Sequence, residues 1–368
     1  MDSKAILCLL NTNPHDHIQF KVKLAELEKL ATAAGFDVVG RLIQTRIKPT
    51  SKFLMGSGKI RELEEIVKSK KLDFAVFYNV LSSKQLFNLT RKLGCEVIDR
   101  YDLTLKIFEM AATDRLSKLQ IESAMLKKIL PYLKLEASAR FSKDHPFFRS
   151  MGEYAFHSKM KGLTKRISRI RREMNKLLSD KSIRIEKRKK LNTPTVCISG
   201  FYNAGKTTLF NALTGEDKPV SDQPFTTLSS KYQKSLDGGP FLFIDTIGFV
   251  FDLYPELIKS FELNLLDMKL ADIVLLLIGV DETPEVVLLK LRWGINLLRE
   301  LGIDSRKILI TLNKQDYLTH NEEMQLVEYL GPFLESFDYV FVSAKNNELD
   351  NFLMVLQKKI ESLDKRES

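Results

Sequence analysis

The sequence predicts an α/β chain in three parts: a small α/β domain over 1–99, an antiparallel helical hairpin over 100–191 and a larger α/β domain over 192–368. Three observations predict it. Short apolar runs alternate with amphipathic segments at the start of the chain. Two long stretches with apolar residues three and four apart follow. After Pro194 the order becomes strand, loop, helix, two strands and then repeated helix–strand units.

In the first part, Ala5–Leu10 reads as a strand. Ile18–Ala34 reads as a helix with Leu24, Leu27, Leu30 and Ala31 on one face and Gly35 as its stop. Phe36–Gln44 is a strand, Lys59–Ser69 a helix, Phe74–Tyr78 a strand, Ser82–Leu93 a helix ended by Gly94, and Cys95–Ile98 a strand. This alternation predicts a layer of mostly parallel strands. Met55-Gly56-Ser57-Gly58-Lys59 lacks the spacing of a full phosphate loop; it reads as a flexible turn into a helix or as a polyanion contact at a helix start. Residues 100–138 read as one helix, with Leu105, Phe108, Ala112, Leu116, Leu119, Ser123, Leu126 and Leu130 along one face and a kink or end at Pro131. Residues 139–155 read as a loop. A second helix spans about Phe156 to Leu191, with Leu163, Ile167, Ile170, Met174, Leu177 and Leu178 as its stripe. Two amphipathic helices joined by a loop pair as an antiparallel hairpin.

Charge is concentrated in that second helix. The chain carries a net charge of +10, and Lys159–Lys190 holds fourteen Lys/Arg against Glu173, Asp180 and Glu186. The rest of the chain is therefore close to neutral. A local basic stripe is the electrostatic footprint of a polyanion partner, although a solvated helix face gives the same composition. Three cysteines, Cys8, Cys95 and Cys197, have no ligand spacing and indicate buried thiols in a reducing compartment. The first apolar run is too short for a signal-peptide core, and Ala271–Val280 is too short to span a bilayer. A cytoplasmic monomer with no membrane span is expected.

The third part carries the chemistry. Pro194–Ser199 reads as a buried strand. It runs into Gly200-Phe201-Tyr202-Asn203-Ala204-Gly205-Lys206-Thr207-Thr208, which has the form G-x-x-x-x-G-K-[ST]. Its glycines let the backbone N–H groups turn inward onto phosphates, and the helix from Lys206 to Leu213 presents an N-terminus that favours anions. Lys206 reaches the β- and γ-phosphates, and the Thr207 hydroxyl ligates Mg²⁺. Four motifs follow. In Pro224-Phe225-Thr226-Thr227-Leu228, Thr227 rather than Thr226 completes the Mg²⁺ shell while its N–H meets the γ-phosphate. Asp245-Thr246-Ile247-Gly248 follows the strand Phe241–Ile244; Asp245 holds Mg²⁺ through water and Gly248 offers an N–H to the γ-phosphate. In Asn313-Lys314-Gln315-Asp316, Asp316 accepts hydrogen bonds from guanine N1–H and the 2-amino group, and Lys314 packs over the base. Ser343-Ala344-Lys345 offers its backbone to guanine O6. Any one tetrapeptide could be a surface turn. All five in this order describe a Ras-like P-loop GTPase domain binding GTP with Mg²⁺. Lys206, Thr227 and Gly248 meet the γ-phosphate and are its candidate catalytic residues. Thr207, Thr227 and Asp245 are the candidate metal ligands.

Phe249 stands where Ras-like proteins place a water-positioning Gln. A phenyl ring cannot orient water, so the chain alone should hydrolyse GTP slowly. Asn203 is a candidate ligand for a monovalent cation near the γ-phosphate, or a brace for the second motif.

The whole chain resembles the HflX family of GTPases. In the N-terminal part the resemblance rests on Gly56-Ser-Gly-Lys59, Val97-Ile-Asp-Arg100 and Lys118-Leu-Gln-Ile-Glu122. In the last part it rests on Gly200–Thr208 with Asn203, Phe225-Thr-Thr-Leu228 and Asp245–Phe249. The sequence departs from the family pattern at 148–162, where Phe148-Phe-Arg-Ser-Met-Gly152 and His157-Ser-Lys-Met-Lys161 replace a glycine-rich run and the basic element after it. The resemblance implies a GTPase that binds the large ribosomal subunit and its rRNA, is stimulated by ribosomes, and acts in ribosome splitting, rescue or biogenesis. Two other classes compete. A P-loop phosphotransferase acting on a small molecule has no use for Asn313–Asp316. A non-catalytic GTP-binding scaffold accommodates Phe249 and leaves the γ-phosphate motifs without a role.

Overall fold

The structure is a computed structural model that describes residues 3–15, 17–141, 146–189, 193–217, 230–236, 238–246, 248–252, 257 and 265–367. These residues fall into two compact units: the first holds those up to Ser179 together with Leu257, and the second holds the rest from Asp180 on.

The first unit opens with β1 (Ser3–Asn11), α1 (His17–Ala33), β2 (Phe36–Thr45), α2 (Ser57–Lys70), β3 (Phe74–Phe77), α3 (Ser83–Leu93) and β4 (Glu96–Asp99). The strands form an all-parallel sheet in the order β2-β1-β3-β4. Ala5–Leu10 in β1 is an unbroken apolar run because it lies inside the sheet with both faces covered. Local signals set the helix ends. Ser82 caps α3 in a reciprocal capping box with Gln85, and Gly94 ends it at φ 70°. Gly56 precedes the first turn of α2, and Lys59 pairs with Glu62 at 2.8 Å, so the Gly56–Lys59 loop is a helix start.

The expected single helix over 100–138 is two helices, α4 (Arg100–Ala111) and α5 (Arg115–Phe141). Asp114 divides them: its carboxylate accepts from the Ser117 N–H at 2.9 Å, the N-cap arrangement that starts α5. Pro131 lies inside α5 without ending it. The expected loop over 139–155 is also mostly helical. α5 reaches Phe141, and α6 (Pro146–Lys189) begins at a proline, which fits a first helical turn where the missing N–H has no partner to lose. α5 and α6 are antiparallel. Arg115 pairs with Glu173, and Arg166 grips Glu122 through two bonds of 2.7 and 2.9 Å. Ile170 in the α6 stripe is buried, while Lys159, Lys161, Lys165, Arg166, Arg169, Arg171, Arg172 and Lys176 are exposed.

The second unit contains β5 (Thr195–Gly200), α7 (Lys206–Thr214), β6 (Lys231–Lys234), β7 (Leu242–Asp245), α8 (Leu266–Leu270), β8 (Ile273–Gly279), α9 (Pro284–Glu300), β9 (Ile308–Asn313), α10 (His320–Leu334), β10 (Asp338–Val342) and α11 (Asp350–Glu367). Its sheet runs β10-β9-β8-β5-β7-β6, parallel except for β6 against β7. Every residue of β8 and β9 is buried. The carboxyl ends of β5, β7, β8, β9 and β10 therefore share one edge, where ligands of open α/β sheets bind.

One buried ion pair anchors the first unit. Arg100, at the start of α4, is 5% exposed; its guanidinium donates to Tyr78 Oη at 2.7 Å and lies 3.4 Å from Glu26, which is fully buried. Removing one member of such a buried pair costs about 3–5 kcal/mol. Arg100→Ala should therefore lower the unfolding free energy by about that amount in chemical denaturation. A loss below about 1 kcal/mol would show that Glu26 is compensated elsewhere.

Candidate nucleotide site

The phosphate loop joins β5 to α7, and its shape depends on two glycines. Gly200 has φ 141°, and a Cβ there would overlap the Leu277 carbonyl oxygen of neighbouring β8. Gly205 has φ 88° and precedes the first turn of α7, and its Cβ would overlap the Asn313 amide nitrogen. Neither position has room for a side chain. The N–H groups of Lys206, Thr207 and Thr208 open α7, where a helix has no partner for them.

Lys206 folds back over this loop and donates to the Phe201 carbonyl at 2.7 Å. Burial pushes its ammonium down to about 8, against the pull of Asp245. Asp245 is 1% exposed at the carboxyl end of β7, paired in register with Ile198 of β5. Thr246 donates from its hydroxyl to the Ile198 carbonyl at 2.8 Å. A Cβ on Gly248 would come 2.9 Å from Lys206 Nζ, so Gly248 lies directly beside the ammonium. Lys206, Asp245 and Gly248 are thus brought together. Phe225, Thr226, Thr227, Leu228 and Ile247 lie outside the described residues.

The base-side residues converge from β9 and β10. Asn313 is 2% exposed; its amide donates to the Ala204 carbonyl at 2.8 Å and accepts from the Ala344 N–H at 3.1 Å. One side chain thus ties the phosphate loop to the loop after β10. Lys314 has φ 71° and pairs with Asp281 at 2.6 Å. Asp316 accepts from the Ser343 hydroxyl at 2.8 Å. Lys345 is exposed.

Phe249 is drawn inward. Its N–H donates to the Gly200 carbonyl at 2.8 Å, and its carbonyl accepts from Tyr202 N–H at 3.1 Å. Its ring is 2% exposed and lies 6.3 Å from Phe201 and 6.5 Å from Trp293, in a cluster that also holds Phe251. Sequence reading missed this cluster. Trp293, the chain's one tryptophan, lies on α9, and nothing in its spacing points to the phosphate loop. The braces Asp281 and Ser343–Asp316 were also missed as contacts.

A model of a "GTP-binding GTPase N-terminal" family matches residues 21–109, and a "50S ribosome-binding GTPase" model matches 195–314. GTPase HflX of Thermofilum pendens is 39% identical over 81% of this chain and 71% of its own length. The Thermococcus kodakarensis GTPase HflX is 33% identical over 94% and 79%. The chain belongs to the HflX family of GTPases. It binds and hydrolyses GTP, as the family assignment and the GTPase domain together show. A crystal structure of SsGBP with GDP aligns over 99% of both chains with a TM-score of 0.51 and 23% identity, which shows a shared fold. Among the described residues, no helix is long and apolar enough to cross a membrane.

The crowding at Gly200 makes a specific forecast. Gly200→Ala should destabilise the second unit by about 2–3 kcal/mol, from the left-handed backbone and the overlap with β8. Chemical denaturation of the purified variant reads this, and wild-type stability would mean that β5 and β8 can separate at this point.

Proposed function

We propose that this GTPase works on the large ribosomal subunit as a cytoplasmic monomer, with the exposed basic face of α6 against rRNA and the second unit as its nucleotide switch. The observation that carries the ribosomal part is the segregation of charge: the basic residues of Lys159–Lys176 are exposed while the apolar stripe turns inward. The matched family model, described as ribosome-binding, supports the same partner.

In this reading the N–H groups of Gly200–Thr208 cradle the phosphates, and Lys206 leaves the Phe201 carbonyl to meet the β- and γ-oxygens. Phosphate contact restores the proton affinity that burial has lowered. Asp316, held by Ser343, accepts from guanine N1–H and the 2-amino group; the Ala344 and Lys345 backbone faces O6; Lys314, held by Asp281, covers the base. The donor set suits a hard cation: the Thr207 hydroxyl at the start of α7 and the buried Asp245 carboxylate at the end of the strand paired with β5 would hold Mg²⁺, with Thr227 as a third ligand. Bound there, Mg²⁺ would neutralise phosphate charge. Gly248 gives its N–H to the γ-phosphate and so reports its presence.

Hydrolysis needs a water held in line with the γ-phosphate. Phe249 has no polar side-chain atom, and its ring is packed against Phe201 and Trp293. We expect slow turnover by the chain alone and stimulation by ribosomes, which would bring the missing orientation.

Co-sedimentation with large ribosomal subunits in GTP, GDP and a non-hydrolysable GTP analogue tests the proposal: binding in the analogue and release in GDP are expected. Reversing Lys165, Arg169, Arg172 and Lys176 to Glu should weaken binding about 100-fold or more at low salt and reduce the dependence of log K on log salt by about 3, roughly 0.7–0.9 for each of the four lost phosphate contacts. Unaltered affinity and slope would assign this face of α6 to solvation.

A further inference from the structure

The fourteen basic residues of Lys159–Lys190 are not all alike. Among those whose side chains are described, Lys181 alone is not exposed. Its ammonium turns in to the Asp267 carboxylate of α8 at 2.6 Å. Asp267 is 2% exposed, and among the described residues its other partner is the Tyr232 hydroxyl, which donates to it from β6. One buried carboxylate therefore joins three elements: the carboxyl-terminal end of α6, the short helix α8 and the strand β6.

One of these elements, β6, lies next to the nucleotide site. β6 is the edge strand, hydrogen-bonded on one side only, to β7. It begins at Lys231, just after the Phe225–Leu228 motif, and Lys231 faces Asp245 in the β6–β7 register. A displacement of β6 thus moves the connection to the second motif and the backbone opposite Asp245. The Tyr232–Asp267 bond is a second tether on this edge strand. A carboxylate this buried is stable only while its partners stay in place. If β6 carries Tyr232 away, Asp267 keeps one partner; if α6 withdraws Lys181, it keeps the other. The two displacements are linked through a shared group, and such linkage is reciprocal.

We propose that Asp267 is a positioning residue of the GTPase cycle, coupling the carboxyl-terminal end of α6 to β6 through Lys181 and Tyr232. Force or charge applied to α6 then biases the nucleotide state, and the nucleotide state biases α6. The coupling rests on the GTPase activity and holds whether or not α6 binds RNA.

The test is the ratio of affinities for a fluorescent non-hydrolysable GTP analogue and fluorescent GDP, measured on the full chain without ribosomes. Lys181→Met and Tyr232→Phe should each change that ratio at least threefold and in the same direction. The double variant should go no further than the larger single change, because both act through one carboxylate. Lys181→Arg, which keeps the charge, should retain the wild-type ratio. A purely structural Asp267 would lower thermal stability and alter both affinities alike; an unchanged ratio, or additive effects in the double variant, overturns the proposal. Tyr232→Phe removes a single oxygen and decides the matter alone where Lys181→Met does not fold. Loss of ribosome binding in the co-sedimentation experiment would leave this ratio untouched, so the two proposals fail separately.

Discussion

The nucleotide site depends on the side chain of Asn313. It is buried at the end of β9, donates to the phosphate loop at Ala204 and accepts from the loop after β10 at Ala344. Its amide also lies where a Cβ on Gly205 would fall, so the close approach of the two loops requires glycine there. One amide thus makes a single seat from segments more than a hundred residues apart, and both of its polar ends are satisfied away from water. Ordering in advance matters because a ligand then spends little binding energy on arranging its site. Lys314 and Asp316 are held in the same manner by Asp281 and Ser343.

Against this fixed seat stands a part that must respond. Lys206 is occupied with the Phe201 carbonyl, and burial weakens its hold on its proton. Gly248 lies beside it, and the next residue is stitched to Gly200 and Tyr202 through backbone bonds. On the proposed function, a γ-phosphate arriving at Lys206 would meet the Gly248 backbone at once. Among the described residues beside it, Phe249 is committed to the aromatic cluster and has no polar side-chain atom to align water. On the proposed function, binding and sensing are built in and fast chemistry calls for a partner. That division suits a protein whose turnover marks contact with a larger assembly.

The fold was legible where the signal is local. Strands such as β1, expected over Ala5–Leu10, are short apolar runs, and the phosphate loop, the guanine motif and the helix stop at Gly94 are each written within a few residues. Sequence reading failed where two local signals competed. The apolar spacing runs on past Ala112, so the Asp114 cap was overlooked and two helices were read as one. Pro131 was read as a kink or an end and lies inside α5, and the stretch holding Pro146 was read as a loop, whereas α6 opens there. Contacts between distant elements left no local trace. Trp293 against Phe249, Asp281 under Lys314 and Lys181 on Asp267 are each set by how helices and loops fall against a sheet. The basic run was visible as composition, but the inward turn of Lys181 was not.

The central claim is that the loops at the carboxyl edge of the second sheet select guanine through Asp316 while the glycine-shaped loop holds the phosphates. Asp316→Asn tests it most directly, because an amide cannot accept from both N1–H and the 2-amino group but complements the 2-oxo group of xanthine. GDP affinity should fall at least 100-fold and XDP affinity rise above it in nucleotide titrations of the purified variant, in line with two charge-assisted hydrogen bonds at roughly 1.5–3 kcal/mol each. Undiminished GDP affinity with no gain for XDP would contradict it and place base recognition elsewhere on the chain.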